Sequence, residues 1–125
     1  MPQVVIIVFW LPAPYLSDLM LRQIVGDRAA TEMVYLGEFV DHIEAGKIGL
    51  VDEVLSCDKV EIRALQKIAQ IAAFPQNAFA AIKANRVEAI RLRYEKNYEV
   101  KNQIFLDCWF SPQTQELLTK AAEKF

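Results

Sequence analysis

The stretch GDRAATEMVYLGEFVDHIEAGKIGLVDEV, residues 26–54, decides how this chain is read. Ala29, Ala30, Met33 and Val34 recur at helical spacing, and Gly37 follows where a left-handed C-terminal cap belongs. Asp41 with Glu44 three residues on has the form of a capping box, which starts a short helix. Gly49 stops that helix, and residues 50–55, LVDEVL, predict a short strand. The stretch therefore reads as helix, glycine stop, short helix, second glycine stop, strand.

Outward from it the pattern stays helical. Upstream, residues 15–25 place Leu16, Leu19, Met20 and Ile24 on one side of a helix. Before them, Pro12 and Pro14 break regular structure, and residues 4–11, an unbroken apolar run rich in β-branched side chains, predict a strand. Downstream, Asp58 and Glu61 suggest another capping box. The helix it opens carries Val60, Leu65, Ile68 and Ile71 on a face wide enough for two neighbours. Phe74-Pro75 stops it, a helix resumes to about Ala84, and a longer one from Asn85 to Phe110 lines up Val87, Ile90, Tyr94, Tyr98, Phe105, Cys108 and Trp109. Ser111-Pro112 reads as an N-cap and first-turn proline for a last helix, whose buried set is Leu117, Leu118, Ala121, Ala122 and Phe125.

Composition narrows the function. Fourteen basic and sixteen acidic residues give a net charge of -2, which argues against nucleic-acid binding as a main role. No run reaches the roughly 20 apolar residues of a membrane span. Cys57 and Cys108 match no zinc or redox spacing and are expected as reduced thiols in a cytoplasmic protein. Hydrophobic residues make up 54% of the chain, which in so short a sequence predicts apolar surface that meets a partner.

The order Gly26, Ala30, Glu32, Gly37, Ala45 and Gly49-Leu50-Val51-Asp52-Glu53-Val54 resembles the enoyl-CoA hydratase/isomerase (crotonase) superfamily, where a "G-x-x-x-A-x-E-x-x-x-x-G" helix leads into an "A-x-x-x-GLVDEV" turn. No single piece is diagnostic, but the whole string at these spacings is specific. The resemblance runs over roughly residues 15–125 and corresponds to the C-terminal part of that family's subunit. It implies a mostly α fold: the helical C-terminal, trimerisation region of the crotonase fold, with one or two short strands. The expected organisation is a single domain over residues 1–125. Residues 1–14 form an apolar lead-in, 15–56 a helix-turn-helix-strand unit, and 57–125 the long C-terminal helices.

Chemistry is harder to place. Hydration of an enoyl thioester needs acid/base carboxylates beside an oxyanion hole. His42, the single histidine, reads as a surface residue near a helix N-terminus, Asp41 and Glu44 as caps, and Glu32 as structural. Asp52 and Glu53, adjacent on the expected strand, would point to opposite faces. The family's glutamate-bearing "P-E" element has only Pro2-Gln3 as its counterpart, and its "P-G-x-G-G-T" corresponds to Leu11-Pro12-Ala13-Pro14-Tyr15-Leu16-Ser17. The four glycines, Gly26, Gly37, Gly46 and Gly49, form no cluster. No catalytic residue, metal ligand or required cofactor is therefore expected, and the chain is expected to be inactive alone.

The basic residues Lys83, Arg86, Arg91, Arg93, Lys96, Lys101, Lys120 and Lys124 read first as a solvated face. The resemblance adds a ligand, because family members set an aromatic and a lysine of their last helices against the CoA of a neighbouring subunit. Lys120 and one of Phe105 or Trp109 hold those positions, so a CoA thioester is the expected ligand. The expected function is an oligomerisation and acyl-CoA-tail-binding module, as a homo-oligomer, a trimer or a multiple of one, or with full-length family members. The alternative is a free-standing helical self-association or protein-interaction module with no CoA role. Convergence of Lys120 and Lys124 on a pocket would separate the two.

Overall fold

The protein, seen in a computed structural model that describes residues 12–37 and 40–123, is built of five helices: α1 (Tyr15–Leu36), α2 (His42–Lys47), α3 (Cys57–Ala72), α4 (Gln76–Trp109) and α5 (Pro112–Ala122). The strand expected over residues 4–11, the Pro2-Gln3 pair, Lys124 and Phe125 lie outside the described residues. Within them the architecture is mostly α, as expected.

The glycines set the joints. α1 is two helical pieces meeting at Gly26, whose backbone (φ 81°, ψ 161°) lies where only glycine sits without strain. Nothing stands within 4 Å of the place a Cβ would occupy there, so the demand is on the backbone and not on space. Gly37 takes the left-handed cap (φ 61°), its N–H donating to the Met33 carbonyl at 3.1 Å. Asp41 caps α2 by accepting the Glu44 N–H at 2.8 Å. The reciprocal half of the box is absent, since the Glu44 carboxylate pairs with Lys47 at 3.2 Å.

Three expectations need correction. Residues 50–55 form no strand: the Leu50 and Val51 N–H groups both donate to the Ala45 carbonyl, at 2.9 and 3.4 Å, which folds the segment back over α2 as a turn. The N-cap of α3 is Ser56, which makes no side-chain capping bond, and Asp58 sits inside the first turn. The helix expected to break near Ala84 runs unbroken for 34 residues, about 50 Å. No proline or glycine falls within it, so nothing in the backbone interrupts it. At its end Ser111 caps α5 by accepting the Thr114 N–H at 3.3 Å, with Pro112 in the first turn.

Burial is uneven. α1 packs against α4, and the end of α4 against α5. The buried hydrophobics among the described residues are Leu19, Ala30, Met33 and Ala45, all before residue 57. α3 and α4 contribute none. A compact monomer of this mass would expose about 6,800 Å², whereas the chain exposes 10012 Å².

Candidate functional site

The turn after α2 is the most tightly built piece. Ala45 is fully buried (0% exposed), and its carbonyl is the hub for the two turn amides. A Cβ on Gly46 would stand 3.3 Å from Val54 Cγ2, so a glycine lets the returning chain come close. Gly49 (φ 77°) reverses the backbone near the carbonyl of Ile24. Glu53 then receives a two-pronged pair from Arg63 of α3, Nε to Oε2 at 2.7 Å and a terminal nitrogen to Oε1 at 2.8 Å. Lys67 adds a contact to Glu53 at 3.3 Å and reaches Asp52 at 4.0 Å. The Arg63 hydrogen bonds, helped by Lys67, hold the Glu53 carboxyl down to about 2 and raise the Arg63 guanidinium. Glu53 thus faces α3 and anchors it, while the Asp52 side chain stands in solvent, 92% exposed.

At the other end, Phe105 and Trp109 lie side by side on α4 with ring centroids 5.8 Å apart. Gln115 of α5 donates to the Trp109 carbonyl at 2.6 Å, which ties the two helices together. Lys120 pairs with Glu116 one turn back at 2.6 Å, both side chains largely in solvent. Phe105 and Trp109 are thus brought together, while Lys120 is engaged within α5. Lys124, which would complete the comparison of two lysines, is outside the described residues. His42 is half-buried as the first residue of α2. Among the described residues no group of three or more His, Cys, Asp or Glu could hold a metal. Cys57 and Cys108 are free thiols.

A third feature lies between α1 and α4. Two openings, of 380 and 410 Å³, share Leu19, Arg22 and Arg93 and so form one cleft. Arg22 pairs with Asp18 at 2.7 Å, an i,i+4 pair that raises the guanidinium further. Tyr15 stacks on Tyr94 at 6.2 Å, Tyr94 meets Tyr98 at 5.7 Å, and Lys101 Nζ stands 5.7 Å over the Tyr15 ring. Sequence reasoning placed Arg93 and Lys101 in a basic set but passed over Tyr15, Asp18 and Arg22. The Asp18/Arg22 spacing was the available signal. Neither Phe105, Trp109 nor Lys120 lines this cleft.

A kinked helix ending in a glycine cap, a capped helical turn folded back on Ala45, and long C-terminal helices together define a crotonase-type C-terminal region. The chain belongs to the enoyl-CoA hydratase/isomerase family, whose model matches residues 10–125. Human mitochondrial enoyl-CoA delta isomerase 1 is 34% identical over 92 residues, covering 72% of this chain and 30% of that protein. The crystal structure of human mitochondrial Δ3-Δ2-enoyl-CoA isomerase superposes with a TM-score of 0.85 at 28% identity, over 93% of this chain and 45% of that one. An enoyl-CoA hydratase/isomerase from Pseudoalteromonas atlantica T6c shares the fold with a TM-score of 0.81 at 23% identity, over 93% of this chain and 47% of that one. The chain thus spans less than half the length of these relatives. Among the described residues no helix is long and apolar enough to cross a membrane.

Proposed function

We propose that this chain is the self-association and acyl-CoA-tail-binding part of an enoyl-CoA hydratase/isomerase-family protein, and that it is not a catalyst by itself. The observation that carries this reading is α3. It is amphipathic, with Val60, Leu65, Ile68 and Ile71 exposed, and it buries no side chain within the chain. Exposed apolar patches of this extent mark contact surfaces. The excess of about 3,200 Å² over a compact monomer is several times the roughly 800 Å² each partner needs in a standard interface.

The CoA part of the reading rests on Phe105, Trp109 and Lys120. The two rings, tilted 32° to one another, offer an apolar surface, and the exposed Lys120–Glu116 pair is a weak tie that an incoming phosphate can replace. The non-catalytic part is supported by three carboxylates that are already engaged in holding the fold. Glu53 anchors α3, Asp41 caps α2 with its carboxyl held low by the Glu44 N–H, and Asp18 holds Arg22. The reading also places the chain in the cytoplasm, where its thiols stay reduced, although the name of the human relative assigns that protein to the mitochondrion.

The test is particle mass in solution by light scattering after gel filtration. A trimer or a trimer-based assembly is expected, and Ile68→Glu should lower the mass. A monomer at all concentrations overturns the self-association. Purified chain should not hydrate crotonyl-CoA above buffer, and turnover abolished by a substitution in this chain would overturn the non-catalytic reading. Lys120→Gln should weaken CoA binding by the assembled protein without changing its mass.

A further inference from the structure

We infer that the cleft between α1 and α4 is a binding site for a small organic anion: an oxyanion, carboxylate or phosphate ester, carried on an apolar, ring-sized body. The two openings meet at Leu19, Arg22 and Arg93. The larger part of the argument is charge. The cleft is lined by three cations, Arg22, Arg93 and Lys101, and by two carboxylates, Asp18 and, in the second opening, Asp27, in a chain whose net charge is -2. Among the described residues, Asp18 is already paired with Arg22, and Arg93 and Lys101 form no ion pair. A cleft with unmatched positive charge concentrates anions, and the planar fork of an arginine fits a carboxylate or phosphate edge.

The cleft is also built in advance of any ligand. Lys101 is held over the Tyr15 ring, Tyr15 is stacked on Tyr94, and Arg22 is fixed by Asp18. Gln23 donates to the Arg86 carbonyl at 2.8 Å across the same helix pair, which pins α1 to α4 beside the second opening. Side chains already ordered lose little entropy when they bind. The body of the ligand follows from the rest of the wall, because Pro12, Leu19, Val34 and Ile104 give it apolar surface. A volume of 380 Å³ exceeds the 150 Å³ or so that takes a benzene ring, so a ring with one charged group fits. Arg93 and Lys101, two turns apart on α4, lie about 12 Å apart along the helix axis. A ring-sized anion therefore has one primary partner, Arg93 at the junction, and Lys101 contributes from the far end.

The inference is independent of the CoA reading, since Phe105, Trp109 and Lys120 lie outside the cleft. It is tested on the full chain by isothermal titration with benzoate, phenyl phosphate, inorganic phosphate and benzyl alcohol at low salt. Benzoate and phenyl phosphate should both saturate, with affinity falling as salt rises. Benzyl alcohol and inorganic phosphate should bind at least tenfold more weakly, because each lacks one half of the required chemistry. Arg93→Gln should lower affinity tenfold or more, Arg93→Lys should recover part of it, and Lys83→Gln, on α4 but outside both openings, should change nothing. Should Arg93→Gln fail to fold, Lys101→Gln carries the same test with a loss of threefold or more. Saturation by benzyl alcohol as tight as by benzoate, inorganic phosphate as tight as phenyl phosphate, or unchanged affinity in the Arg93 and Lys101 variants overturns the proposal. The preferred anion of the pair tells a carboxylate source from a phosphate-ester source.

Discussion

Residues 15–56 and the helices α3 and α4 solve the burial problem in opposite ways. The first region is made of short pieces with tight joints, and it contains every buried hydrophobic among the described residues. The second is made of uninterrupted helices, 16 and 34 residues long, and buries none. Small side chains do much of the work in the first: Ala30 is 2% exposed and Ala45 fully enclosed, so backbones approach closely without large cores. Large apolar side chains dominate the second and stand in the open, as Leu65 and Ile68 do at 59% and 61% exposure. One region encloses its apolar side chains; the other leaves them exposed, as the proposed self-association requires.

That contrast is broken or sharpened first by truncating one apolar side chain in each region. Met33→Ala should cost about 2–5 kcal/mol in chemical denaturation, because a cavity is left in the small core. Ile68→Ala should cost no more than about 0.5 kcal/mol in dilute protein, as for other exposed positions. If Ile68→Ala costs as much as Met33→Ala at every protein concentration, α3 is packed inside its own chain. If the cost grows with concentration, its partner is another copy.

The joints of residues 15–56 give the next largest effect. Gly26→Ala should lose about 1–3 kcal/mol, since alanine cannot relax at φ 81°, ψ 161°. Space is not the obstacle there, so the loss measures backbone strain alone. Stability equal to that of the parent protein would mean that α1 straightens without penalty, and that the kink is not needed to pack α1 on α4.

How much was legible in the sequence follows the same divide. Gly37 and Gly49 stand at backbone breaks as read, and Gly26, picked out by the family pattern, stands at a third, because positive φ excludes most other residues. Ala30 and Ala45, picked out by the family pattern, are the two most buried residues among those described. Asp41 and Ser111 cap helices as read, since a cap needs only one local hydrogen bond. What failed depended on distant partners. Residues 50–55 have strand composition, but a strand needs a neighbour, and here the Leu50 and Val51 amides donate to Ala45 instead. The cleft between α1 and α4 was invisible for the same reason: Arg22 and Arg93 are 71 positions apart, and only the helix pairing brings them to one opening.

The smallest effect expected joins the two regions. The pair of Glu53 with Arg63 and Lys67 is the main described tie between the turn after α2 and the unburied helix α3. It is exposed, so its share of the total stability is modest. Its pH signature is nevertheless specific. The Glu53 carboxyl has an ordinary value of 4.5 and is held down to about 2 in the folded protein. Its stabilisation is therefore complete above pH 4.5 and is lost as the pH falls from there towards 2, where the folded protein finally takes up the proton. Denaturation curves of the parent protein and of Glu53→Gln should differ by a constant amount above pH 5 and converge across that window. Arg63→Gln should show the same convergence, because its main described partner is Glu53. A difference that stays constant down to pH 2 would mean that Glu53 is not anchored in solution and that α3 is positioned by something else. In an assembly, that something would be the apolar face of a second copy, and the constant difference would then scale with protein concentration.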